Sequence, residues 1–466
     1  MSSGAGLRAF LADHAWACAG LVLLVLVLYR PAFGYGFVNW DDGWYVTGNP
    51  LIKGWSPANL YGIATETVAR NYAPLTIFTF LLEHTFFGLD PAAYHATNIV
   101  LHAINTVLVF ALVRRFVGSN GAAWAVAALF AVHPVQVESV AWISSRKTLL
   151  SATFMLMAGL QCLKPGRTPR DDAWGLFWLV LALAGKASAV TVPAIVVCYD
   201  VLLGGSGLLA AARRQLLALN LCAIHTLFTM TSQVTIVGGV RTHLGLSHLQ
   251  LLGVDATILT RYLRMLAWPS HLAVLYDPAT SGIALEVAVS GTAWAGASLY
   301  LFLRRHRYPQ LAFAMATWLL LLFPMLNFFP LTTLMNDRYL YLPCVVPFAL
   351  VVEGARRAGR AAIASARVAA ASGMATTGVA VACYLVASMR LLPVWTDPIR
   401  LWSYTLRQTP TLAVVHIQWA CALHDAGDDT AALVALQGAL DQTKPDEPDL
   451  ERIREMQAEW TAALKK

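Results

Sequence analysis

Long apolar runs separated by short polar breaks dominate the chain. A membrane-crossing helix needs about 20 mainly apolar residues. Eleven runs are read as spans, with ends set by the nearest polar cluster: 13–33, 96–113, 121–138, 147–163, 172–185, 187–204, 215–236, 283–303, 309–329, 339–355 and 369–392. Only two connections are long, 34–95 and 237–282. Beyond residue 393 the apolar runs give way to short mixed segments, which predict four helices at 397–408, 411–425, 428–441 and 447–465. The fold class expected is all-α: a polytopic membrane bundle of about 11 spans over residues 1–393, then a small helical module over 394–466. The first run resembles a signal peptide, but it is long and no small-residue cleavage site follows, so it reads as an anchor.

Composition sharpens this picture. Hydrophobic residues make up 58% of the 466 and charged residues only 13%, against roughly 25% charged in a soluble domain. So few charges cannot build a water-facing surface. The net charge of +7 is unevenly placed. Residues 1–393 hold 26 Lys and Arg against 15 Asp and Glu, a net of +11; residues 394–466 hold 7 against 11, a net of −4. Nucleic-acid binders are also basic, but here the basic residues are interleaved with spans, which sets a nucleic-acid partner aside. Arg8, Arg114 and Arg115, Lys164, Arg167 and Arg170, Arg213 and Arg214, Arg304, Arg305 and Arg307, and Arg356, Arg357, Arg360 and Arg367 fall at alternate helix ends. The positive-inside rule makes that side cytoplasmic, with the N-terminus. Both long loops and the acidic tail are then expected outside. The seven cysteines include no CxxC pair and are odd in number, so they read as small packing residues rather than a disulfide framework or zinc site.

In the second loop, Asp255 to Trp268 carries apolar residues at helical spacing, with Arg261 and Arg264 one turn apart. That suits a helix lying at the outer interface; a twelfth span would break the charge pattern. In the tail, Trp419–Ala420, Gly427, Ala432 and Ala439, with Pro445 beyond them, follow tetratricopeptide spacing. One and a half to two repeats are too few for an independent array, so the tail is expected to pack on the membrane body.

Five groups of polar residues lie on the expected outer side. Asn39-Trp40-Asp41-Asp42-Gly43-Trp44-Tyr45 sets two carboxylates among aromatics. Their mutual repulsion in a desolvated site would raise one pKa and equip it to take a proton from a hydroxyl; the same residues also suit a solvated turn. His95, Asn98, His102 and Asn105 are three, four and three apart and share one helix face. They suit a substrate cavity or bonds between helices equally. His133 to Lys147 holds His133, Glu138, Arg146 and Lys147. Cations there suit a buried anion such as phosphate, or helix capping. Lys186 sits between two spans with no acid beside it, and Asp337-Arg338-Tyr339 opens the tenth. An unpaired cation at membrane depth costs at least about 2.5–3.5 kcal/mol, so both need partners or a hydrated cavity.

The stretches NYAPLTIFTFLLEHTFFGLDPAAYHATNIVLHAINT (71–106), AVHPVQVESVAWISSRKTLLS (131–151), GKASAVTVPAIVVCYD (185–200) and NDRYLYLP (336–343) resemble bacterial membrane proteins with C-terminal tetratricopeptide repeats. Those are related to the transmembrane and tetratricopeptide-repeat O-mannosyltransferases, and similar in architecture to the GT-C glycosyltransferases. The resemblance implies a glycosyltransferase in a bacterial inner membrane, with a periplasmic tail and a polyprenyl-phosphate sugar donor in the surrounding lipid. The sugar would pass to a hydroxyl acceptor, a protein Ser or Thr, or alternatively a lipid or glycan. It implies Asp42, or its neighbour Asp41, as general base, with Arg146, Lys147, Lys186 and Arg338 on the donor phosphate. His95, Asn98, His102, His133, Glu138 and Tyr339 are expected around the substrate cavity. No cofactor is required, and a divalent cation is compatible with the acidic pair. A lipid or small-molecule transporter is the rival class, although the chain shows no internal duplication of the kind many transporters carry.

Overall fold

The computed structural model describes residues 3–237, 246–328, 333–363, 365–443 and 449–464. Among these the chain is helical throughout, and the single extended pairing is the bridge between Val68 and Asn71. Each of the eleven expected spans overlaps a helix. Three of them, Ala15–Gly34, Pro91–Val117 and Ala371–Trp395, are long and apolar enough to cross a membrane alone. Asn120–Val132 and Pro134–Ala141 make a fourth if taken as one span bent by 55°. Ala187–Leu202, Leu216–Met230 and Pro309–Met325 are shorter apolar helices. A polytopic helical membrane bundle is thus established among the described residues. The expected count of eleven comes from apolar runs, and among the described residues three helices, or four with the bent pair, meet the crossing length.

The bent pair has an identifiable cause. Pro134 offers no N–H and ends the helix at Val132, and the His133 side chain accepts from Val135 N (3.3 Å) to start the next turn. The chain then runs through Val137–Ala141, an extended Trp142 and the turn Ile143–Ser145 before the helix Arg146–Cys162. Every residue from Ala131 to Leu150 in this re-entrant passage is buried. Broken backbone at that depth must find other hydrogen-bond partners. Asn98 Nδ2 supplies one, donating to Trp142 O (3.0 Å) and Val140 O (3.3 Å).

Loop 34–95 is a small folded layer. It contains the wide turn Gly43–Thr47, the helices Pro57–Thr65 and Pro74–Phe87, and a core of Tyr45, Val46, Ile52, Phe80, Leu81 and Tyr94. The turn is π-helical, closed by Gly48 N donating to Gly43 O at 2.9 Å. A Cβ on Gly48 would meet that same oxygen at 2.9 Å, so the turn accepts only glycine there without shifting. In the second loop the helix runs His248–Ala267, starting earlier than its apolar spacing indicates because Ser247 and Gln250 form a capping box. Residues 238–245 of that loop lie outside the described residues.

The tail forms helices Pro398–Gln408, Ala413–Asp425, Asp429–Gln442 and Asp449–Leu464. Ala420, Ala432 and Ala439 are buried where the helices approach. Gly427, at φ +85°, makes the left-handed turn between the second and third. Pro445 lies outside the described residues. Leu401, Trp402 and Val415 join the core of the membrane body, so the tail is packed on it.

Candidate active site

The Asp41–Asp42 pair divides. Asp42 is 1% exposed. Its Oδ2 accepts from Val38 N (2.9 Å), and its Oδ1 accepts from Ser144 N (3.0 Å) and from the Ser144 hydroxyl. The carboxylate thus ties the loop to the re-entrant passage with both oxygens engaged. Asp41 faces the other way, with its side chain 26% exposed and Oδ2 3.4 Å from Lys147 Nζ. Lys147 also donates to Tyr45 Oη (3.1 Å) and lies over the rings of Tyr45 and Trp142.

Burial raises the Asp42 carboxyl from its usual 3.8 to about 6, against the opposing hydrogen bonds from Ser144 and Val38. A raised carboxyl binds its proton more tightly in the folded chain than in the unfolded one. Its contribution to stability is therefore complete below the unfolded value and is lost as pH rises through the folded one. Across about pH 4 to 7 this amounts to at most about 3 kcal/mol. The thermal midpoint is expected to fall with pH more steeply in the parent protein than in Asp42→Asn, which cannot ionise. Parallel slopes in the two proteins would show that Asp42 ionises without penalty.

Arg338 projects from the turn Asp337–Leu340. Its Nη1 pairs with Glu138 Oε1, its backbone N–H donates to Glu138 Oε2 (2.8 Å), and its guanidinium lies over Trp142 (5.3 Å) and Tyr339 (5.5 Å). Glu138 holds Arg338 from behind, and Tyr339 stands in the cavity wall. Asp337, beside it, is buried and accepts from Tyr276 Oη. Lys186 caps the C-terminal end of helix Pro169–Gly185 and donates to Thr148 Oγ1 (3.0 Å). A Cβ on Gly185 would stand 3.1 Å from Ser151 N, so close helix contact sets the position of Lys186. Lys186, Lys147 and Arg338 are near enough for their charges to interact.

A cavity of about 40 Å³ lies between Lys186, Arg338, Tyr339, Thr148, Ser151 and Ser188. An apolar groove of about 580 Å³ lies next to it, sharing Met155, Leu321 and Leu342 as lining residues, and its other walls include Phe116, Ile195 and Phe313. The groove reaches Arg307 and Arg357. Arg357 is twelve residues along the helix from Val345, or about 18 Å at 1.5 Å per residue.

Other expected residues lie elsewhere. Arg146 is fully buried, paired with Glu83 (2.9 Å), donating to Tyr94 O (2.8 Å) and Asn98 Oδ1, and stacked on Phe80. Its guanidinium joins helix Pro74–Phe87 to Pro91–Val117 and is not among the residues that line the cavity. His102 Nε2 donates to Ala131 O (3.1 Å), which leaves Nδ1 to accept from Tyr341 Oη (2.8 Å). Asn105 donates to the same hydroxyl and to Leu149 O. His133 donates through Nε2 to Leu266 O (3.1 Å), and His95 packs edge-on against Tyr35. His95, Asn98, His102 and His133 thus belong to packing and bonding between helices, not to the cavity. Trp142, Ser144, Thr148 and Ser151 were not singled out from the sequence. Thr148, Ser151 and Met155 are three and four residues apart, a helix-face signal that could have found the cavity wall. Among the described residues no three His, Cys, Asp or Glu side chains gather as a metal site. The two adjacent carboxylates point to different partners.

Fold and site together define a polytopic helical membrane protein with one accessible carboxylate, three clustered cations and an apolar groove leading away from them. The chain is homologous over part of its length to protein O-mannosyl-transferases. It is 31% identical to TMTC1 of Mus musculus over 182 residues, covering 34% of this chain and 19% of that protein. It is 33% identical to Tmtc1 of Drosophila melanogaster over 193 residues, covering 39% and 22%, and 30% identical to Tmtc2 of the same species over 219 residues, covering 43% and 23%. The chain thus spans about a fifth of the length of these relatives. No protein-family signature matches it. Among solved structures it is similar to an oligosaccharyltransferase of Archaeoglobus fulgidus, crystallised tethered to an acceptor peptide (TM-score 0.42, 13% identity, 94% of this chain and 58% of that one). It is also similar to ArnT of Cupriavidus metallidurans bound to undecaprenyl phosphate (TM-score 0.37, 13% identity, 93% and 82%).

Proposed function

We propose that the protein is a glycosyltransferase that moves a monosaccharide from a polyprenyl-phosphate donor to a hydroxyl of a protein acceptor. The observation that carries this reading is the adjacency of the small cavity, lined by Lys186 and Arg338, to the large apolar groove, with Met155, Leu321 and Leu342 lining both. A phosphate on a long hydrocarbon matches that pairing of cations and apolar walls. The relatives named as protein O-mannosyl-transferases favour mannose as the sugar and protein as the acceptor.

In this mechanism Asp41, not Asp42, takes the proton from the acceptor hydroxyl, because Asp41 is the carboxylate that remains accessible. The acceptor oxygen bonds to the anomeric carbon, and the bond from that carbon to the phosphate oxygen breaks. The electron pair leaves with the phosphate, where Lys186 and Arg338 stabilise the developing charge. Lys147, 3.4 Å from its Oδ2, orients Asp41. Arg146 takes no part in binding the phosphate. We place the catalytic face, both loops and the tail on the periplasmic side of an inner membrane, following the charge pattern.

The test is transfer by the purified protein from labelled polyprenyl-phosphate mannose to peptides bearing Ser and Thr. Removing one charge-assisted contact is worth about 1.5–3 kcal/mol. Lys186→Met is therefore expected to weaken donor use about 10- to 150-fold, read as kcat/KM. Absence of transfer from any polyprenyl-phosphate sugar, with lipid instead carried between leaflets, would replace this reading with a transporter.

A further inference from the structure

We propose that the first tail helix, Pro398–Gln408, is a positioning element of the active site, with Trp402 and Asn39 as its positioning pair for Asp41. The proposal rests on the role assigned to Asp41 above. Trp402 is fully buried, and its Nε1 donates to Asn39 Oδ1 at 2.6 Å. Asn39 Nδ2 donates onward to Gln418 O (3.1 Å) in the second tail helix. The Trp402 ring meets Trp40 edge-on at 5.2 Å. The two residues immediately before Asp41 are therefore held from the tail, while Asp42, immediately after it, is held from the bundle by Ser144. Asp41 sits between two anchors, and only one of them belongs to the bundle.

This helix and the residues flanking it also reach the cation side of the site. Trp395 stacks on Trp142 at 6.0 Å, the ring that lies beneath both Lys147 and Arg338. Tyr404 Oη donates to Leu272 O (2.8 Å), and Thr411 Oγ1 donates to Asp277 Oδ2 (2.7 Å). Between those contacts Tyr276 donates to Asp337, the neighbour of Arg338. One short stretch of tail thus braces the loop that carries the carboxylate and the loop that abuts the guanidinium. Its contacts with both include directional hydrogen bonds made by individual side chains to side-chain and backbone acceptors, beyond what apolar packing alone would require.

Small displacements of a reacting group lower rates steeply, by up to about 10²-fold for 1 Å. In the full-length protein Asn39→Ala removes both hydrogen bonds without opening a cavity in the tail. It is expected to lower kcat about tenfold or more while leaving the donor KM nearly unchanged, because Lys186 and Arg338 are untouched. Trp402→Phe keeps an aromatic ring but loses the N–H together with part of the buried indole, and is expected to lower kcat in the same direction as Asn39→Ala. A second readout does not depend on transfer. Asp41→Cys is introduced, and its rate of modification by a charged methanethiosulfonate reagent is followed at that position by mass spectrometry. The rate is expected to rise severalfold when Asn39→Ala is added. An unchanged modification rate together with an unchanged kcat overturns the positioning role and leaves the proposed function standing. If the parent protein transfers no sugar, the functional reading fails, and the modification rate alone decides whether the tail holds residue 41.

Discussion

Asp41→Asn is expected to lower sugar transfer by about 10²–10⁴-fold, the usual contribution of a positioned base, with little change in thermal stability. The asymmetry within the acidic pair carries this expectation. Asp41 has one ionic partner, Lys147, at 3.4 Å, and part of its side chain is open. Asparagine keeps its shape and leaves Lys147 its bond to Tyr45. Asp42→Asn is expected to behave differently. Val38 N–H and Ser144 N–H each point at a different oxygen of Asp42. An amide offers only one acceptor, so one buried donor then faces an N–H₂ group, at about 1–3 kcal/mol. Thermal midpoints and single-turnover rates measured on both variants separate the two roles. A rate loss confined to Asp42→Asn would return the base to Asp42.

Arg146→Met is expected to destabilise the protein by about 3–5 kcal/mol, the penalty of leaving a buried charge without its partner. Glu83 would keep its carboxylate in a site 9% exposed and lose its ion pair, and Tyr94 O and Asn98 Oδ1 would lose a donor. The double variant Arg146→Met with Glu83→Leu is expected to recover the larger part of that loss, since exchanging both charges for apolar groups is often neutral or stabilising. Midpoints in detergent or lipid give the comparison, and donor KM in the double variant tests the chemistry. A KM that stays high after stability is restored would mean that Arg146 does contact the donor.

These two residues also show where a sequence stops being readable. The spans were legible because apolar length is a one-dimensional property. Lys147, Lys186 and Arg338 were legible because cations on a side otherwise depleted of them require a reason. Adjacent residues on a helix, however, point about 100° apart. Nothing within RK distinguishes which of the two turns to the core, and nothing within DD does so for the carboxylates. The answer lies in distant partners, Glu83 for Arg146 and Ser144 for Asp42, whose proximity the fold alone creates. The stripe His95, Asn98, His102 and Asn105 had the right spacing for either a cavity or a helix contact. The re-entrant passage decides for contact, because the buried carbonyls of Val140 and Trp142, at its extended break, take the Asn98 donor.

The ion pairs carry a consequence for synthesis. Arg146 follows its partner Glu83 by only 63 positions, whereas Glu138 precedes Arg338 by 200. At about 5–20 residues per second, the first pair can close within seconds, but Glu138 waits about 10–40 s for its guanidinium to leave the ribosome. Through that interval the half-made bundle must keep the Glu138 carboxyl wet, neutral or shielded by the insertion machinery. The Glu138–Arg338 side of the bundle is therefore completed well after the Glu83–Arg146 side, and chains released before residue 338 carry an unmatched acid into the membrane.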